Sequence, residues 1–493
     1  MVTDSVKKGS ITIFLALILS LILALVSTSI ESVRMAAART QILDSMDIGL
    51  YSLFAQYDRT LLEKYDLFSL YASGQDNLDM ADVYDNFESY MKPVLKQNSQ
   101  KLSLQQGGFS GYRLLTDENG EVFFSQAVNY MRETLGTQGV QLLIKRIEER
   151  KKKTEDSENQ GEKAESGDTL DSYDSEMDSA AKESQEAEKN QTDQGGFDDG
   201  NSDFSGGVNT EVKNPIPVIK RIKKMGLLTL VIPAEKGISD KAVDRRNLVS
   251  GRRSQQGLNM DGAIQTDGSY TSDLLFGQYL ITKLGSYKNP AKSGLEYQIE
   301  YIIGEKNNDK DNLKAVANRL FLIRQGVNFA AIAADGGKRI QIEALALAIA
   351  SGFLIPPAAP VIEAALMLCW AFAESILDVR ELFAGGRVPL IKTAADWQIS
   401  LENLPGLLEG LDSARKDCKG GMSYEDYLQI LLMTKSKSDK VKGGMDMIEN
   451  TVRNMGKRKN FRMDHCITAV EASADVKANK RKIFTVTRQY AYE

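Results

Sequence analysis

Hydrophobic and polar positions follow three different rhythms along this 493-residue chain, and each predicts a different kind of element. The first is unbroken: Ile11–Ile30 reads ITIFLALILSLILALVSTSI, without a single charge. At 1.5 Å of rise per residue, such a helix spans roughly 30 Å, the hydrocarbon thickness of a bilayer. The run is longer than the apolar core of an ordinary signal peptide, so Ser27-x-Ser29 as a cleavage site is the weaker reading. No cysteine follows at short range to carry a lipid anchor.

The second rhythm is helical. From Glu31 to about Leu67 the chain has no proline, and apolar residues recur at Ile42, Met46, Leu50, Leu53, Phe54, Tyr57, Leu61 and Tyr65. Steps of three and four place them on one face of a helix, with Asp44, Asp47, Arg59 and Glu63 opposite. The membrane helix is therefore expected to continue outward as an amphipathic rod. The aromatic residues in its stripe suit docking on a folded body better than a coiled-coil seam.

Helical periodicity also predicts helices over Asp76–Gln97 and Ser125–Arg150, on either side of a glycine-rich break at Gly107–Gly111 and a turn at Thr116–Gly120. Further on it predicts Asp273–Leu284, then Leu313–Ala334 capped by Asp309 or Asp311, and Ser423–Met433 opened by a Ser423/Asp426 capping box. Ala344–Pro360 is uncharged, but Gly352, Pro356, Pro357 and Pro360 interrupt it, which suits a turn into a second apolar helix, Val361–Phe383. Glu363, Glu374, Asp378 and Arg380 would be costly against lipid, so this pair reads as a soluble core. A re-entrant or membrane-resting hairpin is the competing reading.

The third rhythm is alternation. Leu295–Ile303, Phe461–Val476 and Ile483–Tyr492 alternate as strands, and Ile216–Ile219 and Leu227–Ile232 are short strand-like pieces. Together these elements predict a helix-dominated α+β fold with a small antiparallel sheet in its C-terminal body.

Charge changes the picture in one place. The net charge is -6, yet Thr154–Thr210 alone holds 17 Asp or Glu against three Lys, a net of -14, so the remaining chain carries +8. A mildly basic body suits an anionic surface such as lipid head groups or wall polymer. The acidic stretch is poor in aliphatics and has the composition of disorder. Its string Asp199-x-Asn201-x-Asp203 lacks the glycine and the glutamate of a calcium loop, since Phe204 and Thr210 stand there. The organisation expected is thus a cytoplasmic N-terminus (1–10), a transmembrane helix (11–30), an extracytoplasmic helical region (31–150), an acidic disordered linker (151–212) and an extracytoplasmic α+β domain (213–493). Lys7 and Lys8 before the apolar run set that orientation.

Candidate chemistry is sparse. A single histidine, His465, and three cysteines without a C-x-x-C pair leave little for zinc or multi-histidine catalysis. No phosphate-binding loop is present; Gly336-Gly337-Lys338 and Gly420-Gly421 read as helix ends. His465 and Cys466 are neighbours on an expected strand and would point to opposite faces. Cys369 reads as core, and a Cys418–Cys466 disulfide is left open. Trp397 reads as packing rather than as a glycan platform. No catalytic, cofactor-binding or metal-binding residue is assigned, and neither a cofactor nor a nucleic-acid partner is expected.

Lys8-Gly9-Ser10 leading into the apolar run, then Glu31-Ser-Val-Arg34 and Ala36-Ala-Ala-Arg39, resembles the amino-terminal segment of TadE/TadG-like tight-adherence pilus proteins. The chain is more closely similar to an uncharacterised extracytoplasmic family found beside such pilus genes in Gram-positive bacteria. Phe54-Ala-Gln-Tyr-Asp58, Lys64-Tyr-Asp-Leu-Phe68, Leu313–Arg319 and Val388-Pro-Leu-Ile-Lys392 carry that similarity. The resemblance implies a single-pass, non-enzymatic accessory protein of a pilus or secretion assembly, with the lipid bilayer and other envelope or pilus-assembly proteins as partners. It transfers no catalytic residue. Processed pilins carry glutamate at the fifth mature position, where counting from Ser10 this chain has Phe14, so the sequence favours a permanent anchor over cleavage after Gly9. An envelope enzyme or ligand-binding module acting on wall polymer is the alternative, and it predicts a pocket that gathers Trp397, carboxylates or His465.

Overall fold

In the computed structural model one helix, α1 (Asp4–Phe54), runs through both the uncharged segment and the amphipathic stripe. Its 51 residues amount to about 75 Å of helix. The residues described are 4–74, 77–97, 101–167, 169–191, 213–233, 237–258, 260, 268–353, 355–411, 418–456, 458–478 and 482–492. They divide into two compact units, Met1–Tyr130 with Arg246–Gly268 and Val452–Glu493, and Met131–Arg245 with Ser269–Thr451.

In the first unit, burial along α1 begins at Ala38 and continues at Ile42, Met46, Leu50, Leu53 and Phe54, the expected stripe. The rod stops earlier than the periodicity suggested. Asp58 turns its carboxylate onto the Leu61 amide at 3.0 Å and caps a separate helix, α2 (Arg59–Tyr65), which Asp66 closes at φ 51°. Tyr57, in the break between them, is exposed.

The sheet contains β1 (Leu70–Tyr71), β4 (Ser103–Leu114), β5 (Cys466–Ala478) and β6 (Lys482–Ala491), all antiparallel. A separate two-stranded ribbon joins β2 (Ser73–Gly74) to β3 (Asn77–Leu78). Strand β5 is central. It pairs with β4 from Ser103↔Lys477 to Leu114↔Ile467, with β6 from Ala469↔Ala491 to Ala478↔Lys482, and with β1 at Leu70↔Ile467. The two C-terminal strands are therefore as expected, while Leu295–Ile303 takes no part in the sheet.

Gly107–Gly111, read from the sequence as a break, lies inside β4. At Gly107 the hydroxyl of Tyr84, from helix α3 (Met80–Lys96), occupies the space a Cβ would need. Glycine is there to admit an aromatic cover over the strand. Val470, Ala472, Ala474, Val476 and Ala478 on β5 meet α1 and α3, and their small size brings the helices close to the sheet.

The second unit is helical. Helix α4 (Asp117–Ser166) begins in the first unit, where Glu118, Asn119 and Gly120 take positive φ and form the expected turn. It then runs beyond Arg150, and α5 (Thr169–Gln191) follows. Residues 151–191 are thus largely helical where a disordered linker was expected, and 192–212 lie outside the described residues, with the calcium-like string.

The physical reason is docking rather than propensity. Gly161 of α4 and Gly326 of the facing helix α10 (Asp309–Ala334) leave no room for a Cβ, so the two backbones touch. Glu158 accepts from Arg319 at 2.6 and 2.8 Å, Glu165 from Lys223 at 2.8 Å, and Asp174 from Lys220. Tyr173 and Thr154 are buried. The acidic stretch neutralises part of the basic body.

Two short helices, α6 (Ile216–Lys223) and α7 (Leu227–Val231), replace the strand-like pieces, with Pro217 in the first turn of α6 where a missing N–H costs nothing. Helix α8 (Tyr270–Lys283), capped by Ser269, is as expected. Helix α9 (Gln298–Gly304) replaces the predicted strand. Its alternation misled because the polar positions are buried as well: Gln298 donates to Thr451, and Glu300 accepts from Tyr424. Helix α10 is capped by Asn308, and Asp309 is instead buried, accepting from Ser239 and the amides of Glu296 and Tyr297.

Next come α11 (Gly336–Gly352), α12 (Ala359–Ala384), α13 (Leu407–Gly410), α14 (Tyr424–Met433) and α15 (Lys437–Arg453). Gly336 and Gly337 open α11 under an Asp335 cap instead of ending a helix. Helix α14 carries the expected Ser423/Asp426 capping box.

Candidate functional site

Helix α10 presents Leu320, Ile323 and Val327 to the interior, and Arg324 interrupts that stripe at a position with no solvent access. On the facing helix α12, Glu374, Ser375 and Asp378 point inward among alanines and leucines. The third component is irregular: Val388–Lys392 is pinned to Met422 by a β-bridge at Val388.

These pieces form one closed ionic cluster. Arg324 donates to Asp378 Oδ2 from Nε at 3.0 Å and from its second terminal nitrogen at 2.9 Å. Its other terminal nitrogen donates to the carbonyls of Pro389 at 2.9 Å and Leu390 at 3.4 Å, and to the Tyr427 hydroxyl at 3.3 Å. Lys392 bridges Glu374 and Asp378, the latter at 2.6 Å. Asn328 donates to Asp378 at 2.9 Å and to Ser375 at 3.0 Å. The amides of Gln398 and Ile399 close on Glu374 at 3.0 and 3.1 Å, and the Gln398 side chain reaches Asp378 at 3.2 Å.

Two cations thus face two carboxylates in full burial, the one arrangement in which such charges are tolerable. Burial alone would raise the Asp378 pKa, but Arg324 and Lys392 outweigh it and hold the carboxyl below its ordinary range. The same acid raises the Arg324 pKa against the effect of burial. All four carboxylate oxygens are already accepting hydrogen bonds. None is free to take a proton from a substrate, so the cluster works as a clamp between α10, α12 and the 388–399 segment.

Trp397 covers this clamp. Its ring lies 5.6 Å from that of Trp370, and the Lys338 and Lys392 ammonium groups lie 4.6 and 5.5 Å from its centroid. Trp370 in turn donates to the Ile399 carbonyl at 2.9 Å. Trp397 is therefore packed, as the sequence suggested. Beyond Gln398 opens a cleft of about 460 Å³, lined by Lys213, Leu377, Glu402, Asn403, Pro405 and Glu409. This is the size range of small-molecule sites.

The other singled-out residues lie elsewhere. His465 sits at the end of a 3-10 turn in the first unit, fully buried, and among the described residues neither ring nitrogen has a hydrogen-bond partner. Burial holds its pKa below the ordinary value. Cys369, Cys418 and Cys466 are free thiols. Among the described residues no group of three or more His, Cys, Asp or Glu is placed to hold a metal ion. Glu374, Asp378 and Arg380 were legible as a charge pattern on α12, Arg380 bonding to the Leu230 and Ile232 carbonyls. Arg324 was missed, although a cation on an apolar stripe is the signal that marks it.

The phrases that carried the family resemblance land on structural junctions. Asp58 caps α2 and pairs with Arg458 at 2.5 Å, Asp66 ends α2, and Pro389, Leu390 and Lys392 belong to the clamp. No curated protein and no solved structure matches the chain. A model of a family of unknown function, DUF5702, matches residues 206–478, from before α6 to the end of β5. That match spans more than half of the chain and contains every residue of the clamp: the protein belongs to the DUF5702 family.

Proposed function

We propose that this chain is a membrane-anchored structural protein with an extracytoplasmic body, serving as an accessory component of a tight-adherence-type pilus or secretion assembly. The observation that carries the anchoring is the continuity of α1. The large apolar side chains from Ile11 to Val26 are exposed, and the same helix enters the core of the first unit at Ala38. A leader destined for removal has no need to continue as one helix into a folded core. The basic pair Lys7 and Lys8 before the span and the bulk of the chain after it favour an inside N-terminus.

The assembly role rests on the resemblance of the N-terminal segment to TadE/TadG-like proteins and on the structural character of the buried charge cluster. A photo-crosslinker at Tyr51, exposed on α1 about 30 Å beyond the end of the span at helical rise, tests it in living cells. Recovery of a pilus-assembly or other envelope protein is expected. Release of the intact chain as soluble material would remove the anchor, and an unchanged pilus after deletion of the gene, with no crosslinked partner, would remove the role.

The alternative, a ligand-binding module for wall polymer, has one observation in its favour, the cleft beside Gln398 with Glu402 and Glu409 on its lining. Binding of soluble wall-polymer fragments that Glu402→Ala and Glu409→Ala both weaken would raise it above the first reading.

A further inference from the structure

Helices α11 and α12 form an antiparallel hairpin joined by a short turn that includes Pro356–Ala358. Near the start of α11 the Lys338 ammonium lies 5.5 Å from the Trp370 ring, well inside α12, which fixes the two helices side by side. The buried face of α11 is Lys338, Ile342, Ala346, Ile349 and Ala350. Its other face changes along its length: Arg339, Gln341 and Glu343 are exposed near the start, whereas toward the turn Leu347 is 49% exposed and Phe353 47%. Pro356, Pro357 and Pro360 are exposed beside it.

We propose that the tip of this hairpin dips into the outer part of a lipid bilayer, as a second, shallow membrane contact of the chain. Charge placement commits the proposal to lipid. From Ala344 to Pro360 no residue is charged. The nearest carboxylates are Glu343, roughly 13 Å back from the turn on one arm, and Glu363, roughly 7 Å back on the other, at helical rise. That depth is within a single leaflet of a core about 30 Å thick. Behind them the exposed Arg339 lies where anionic head groups would be met. Three prolines at the tip suit a turn in lipid, where each missing N–H is one donor fewer to leave unpaired. The proposal also rests on the anchored reading of α1, since a tethered chain works at a bilayer surface. Deeper passage is excluded by α12 itself, whose residues from Leu368 to Phe383 are buried in protein with Glu374, Asp378 and Arg380 among them.

The test uses the full chain carrying Cys418→Ser, reconstituted in phosphatidylglycerol–phosphatidylcholine vesicles. Phe353→Cys or the control Lys306→Cys is labelled with an environment-sensitive fluorophore. Flotation of the vesicles with the protein reports the α1 anchor independently. The Phe353 label is expected to shift to the blue and to lose most of its emission to lipids spin-labelled near the head group, while the Lys306 label keeps its aqueous spectrum. Protein that floats with an unquenched, aqueous Phe353 label overturns the hairpin contact and leaves the anchor standing. A Phe353→Cys disulfide between two copies that excludes the lipid quencher assigns the face to a second copy and overturns it as well. Protein that fails to float overturns the anchored reading and, with it, this one.

Discussion

Two of the described helices are long and apolar enough to cross a bilayer, and their surroundings in the fold are opposite. The apolar window of α1 has none of its residues buried, whereas 72% of the corresponding window of α12 is inside protein. The difference lies in what each helix carries besides leucine and alanine. Helix α1 holds no charge from Ile11 to Ile30, so a lipid phase suits all of it. Helix α12 brings Glu374, Asp378 and Arg380 inward, and only a protein interior that supplies Arg324, Lys392 and backbone partners can hold them. Hydropathy nominates a helix for burial. Its charges decide whether the burying phase is lipid or protein.

Removing the partner in α12 should break that contrast most severely. Asp378→Ala leaves Arg324 and Lys392 facing each other without their shared acceptor. A loss of about 3–5 kcal/mol is expected in chemical unfolding of the second unit, the range for an uncompensated buried charge. A loss below about 1 kcal/mol would mean that the cluster is open to water.

The mirror experiment places a charge where none exists. Leu19→Arg at the middle of the α1 span should cost about 2.5–3.5 kcal/mol of insertion and move the chain out of the membrane fraction, while the melting of the body stays as it was. Retention of the variant in the membrane would show that the span is held by something other than lipid.

A third variant addresses the acidic segment, whose helix is held by tertiary contact. Gly326→Ala forces a Cβ onto the Ser157 carbonyl across the α4–α10 crossing. Overpacking of about 1–3 kcal/mol is expected, with residues 154–191 becoming the first site of protease cleavage. Cleavage kinetics unchanged from the parent would mean that the crossing does not hold that segment.

The smallest effect expected is a divergence of the two units with pH. His465, buried in the first unit, has its pKa held below 6.5, so the unfolded chain binds the proton first and stability is lost as pH falls below about 6.5. Glu300, buried in the second unit, is pushed up to about 7 from 4.5 by burial, so the folded state binds the proton first. Its contribution is complete below about 4.5 and is lost as pH rises through 7. Hydrogen exchange at pH 5 and pH 8 should therefore show the first unit weaker in acid and the second weaker in base. Parallel profiles would contradict both assignments.

Much of the fold was legible because the signals were local. The α1 stripe, the capping box at Ser423 and the β5–β6 hairpin each rest on residues within a few positions of one another. The misreadings share one cause. Alternation over Leu295–Ile303 marks a strand only if one face meets water, yet in α9 both faces are buried and the polar residues find partners as distant in sequence as Thr451. Gly107 looks like part of a break until Tyr84 presses against it. In the candidate site, Glu374 and Asp378 stood out as charges on an apolar helix. Arg324 gained meaning only when Asp378, Pro389 and Tyr427 converged on it.

By itself the sequence determined that this protein has a bilayer-length apolar segment continued by an amphipathic helix, a C-terminal antiparallel hairpin and a helical body, because periodicity and charge-free length are properties of neighbouring residues. The tertiary structure decided that residues 151–166 and 169–191 of the acidic stretch are docked helices, that α12 belongs to a protein core and that four scattered charges form one neutral clamp. Those outcomes depend on which distant groups meet in a low-dielectric interior, where an unpaired charge costs several kcal/mol and a paired one does not.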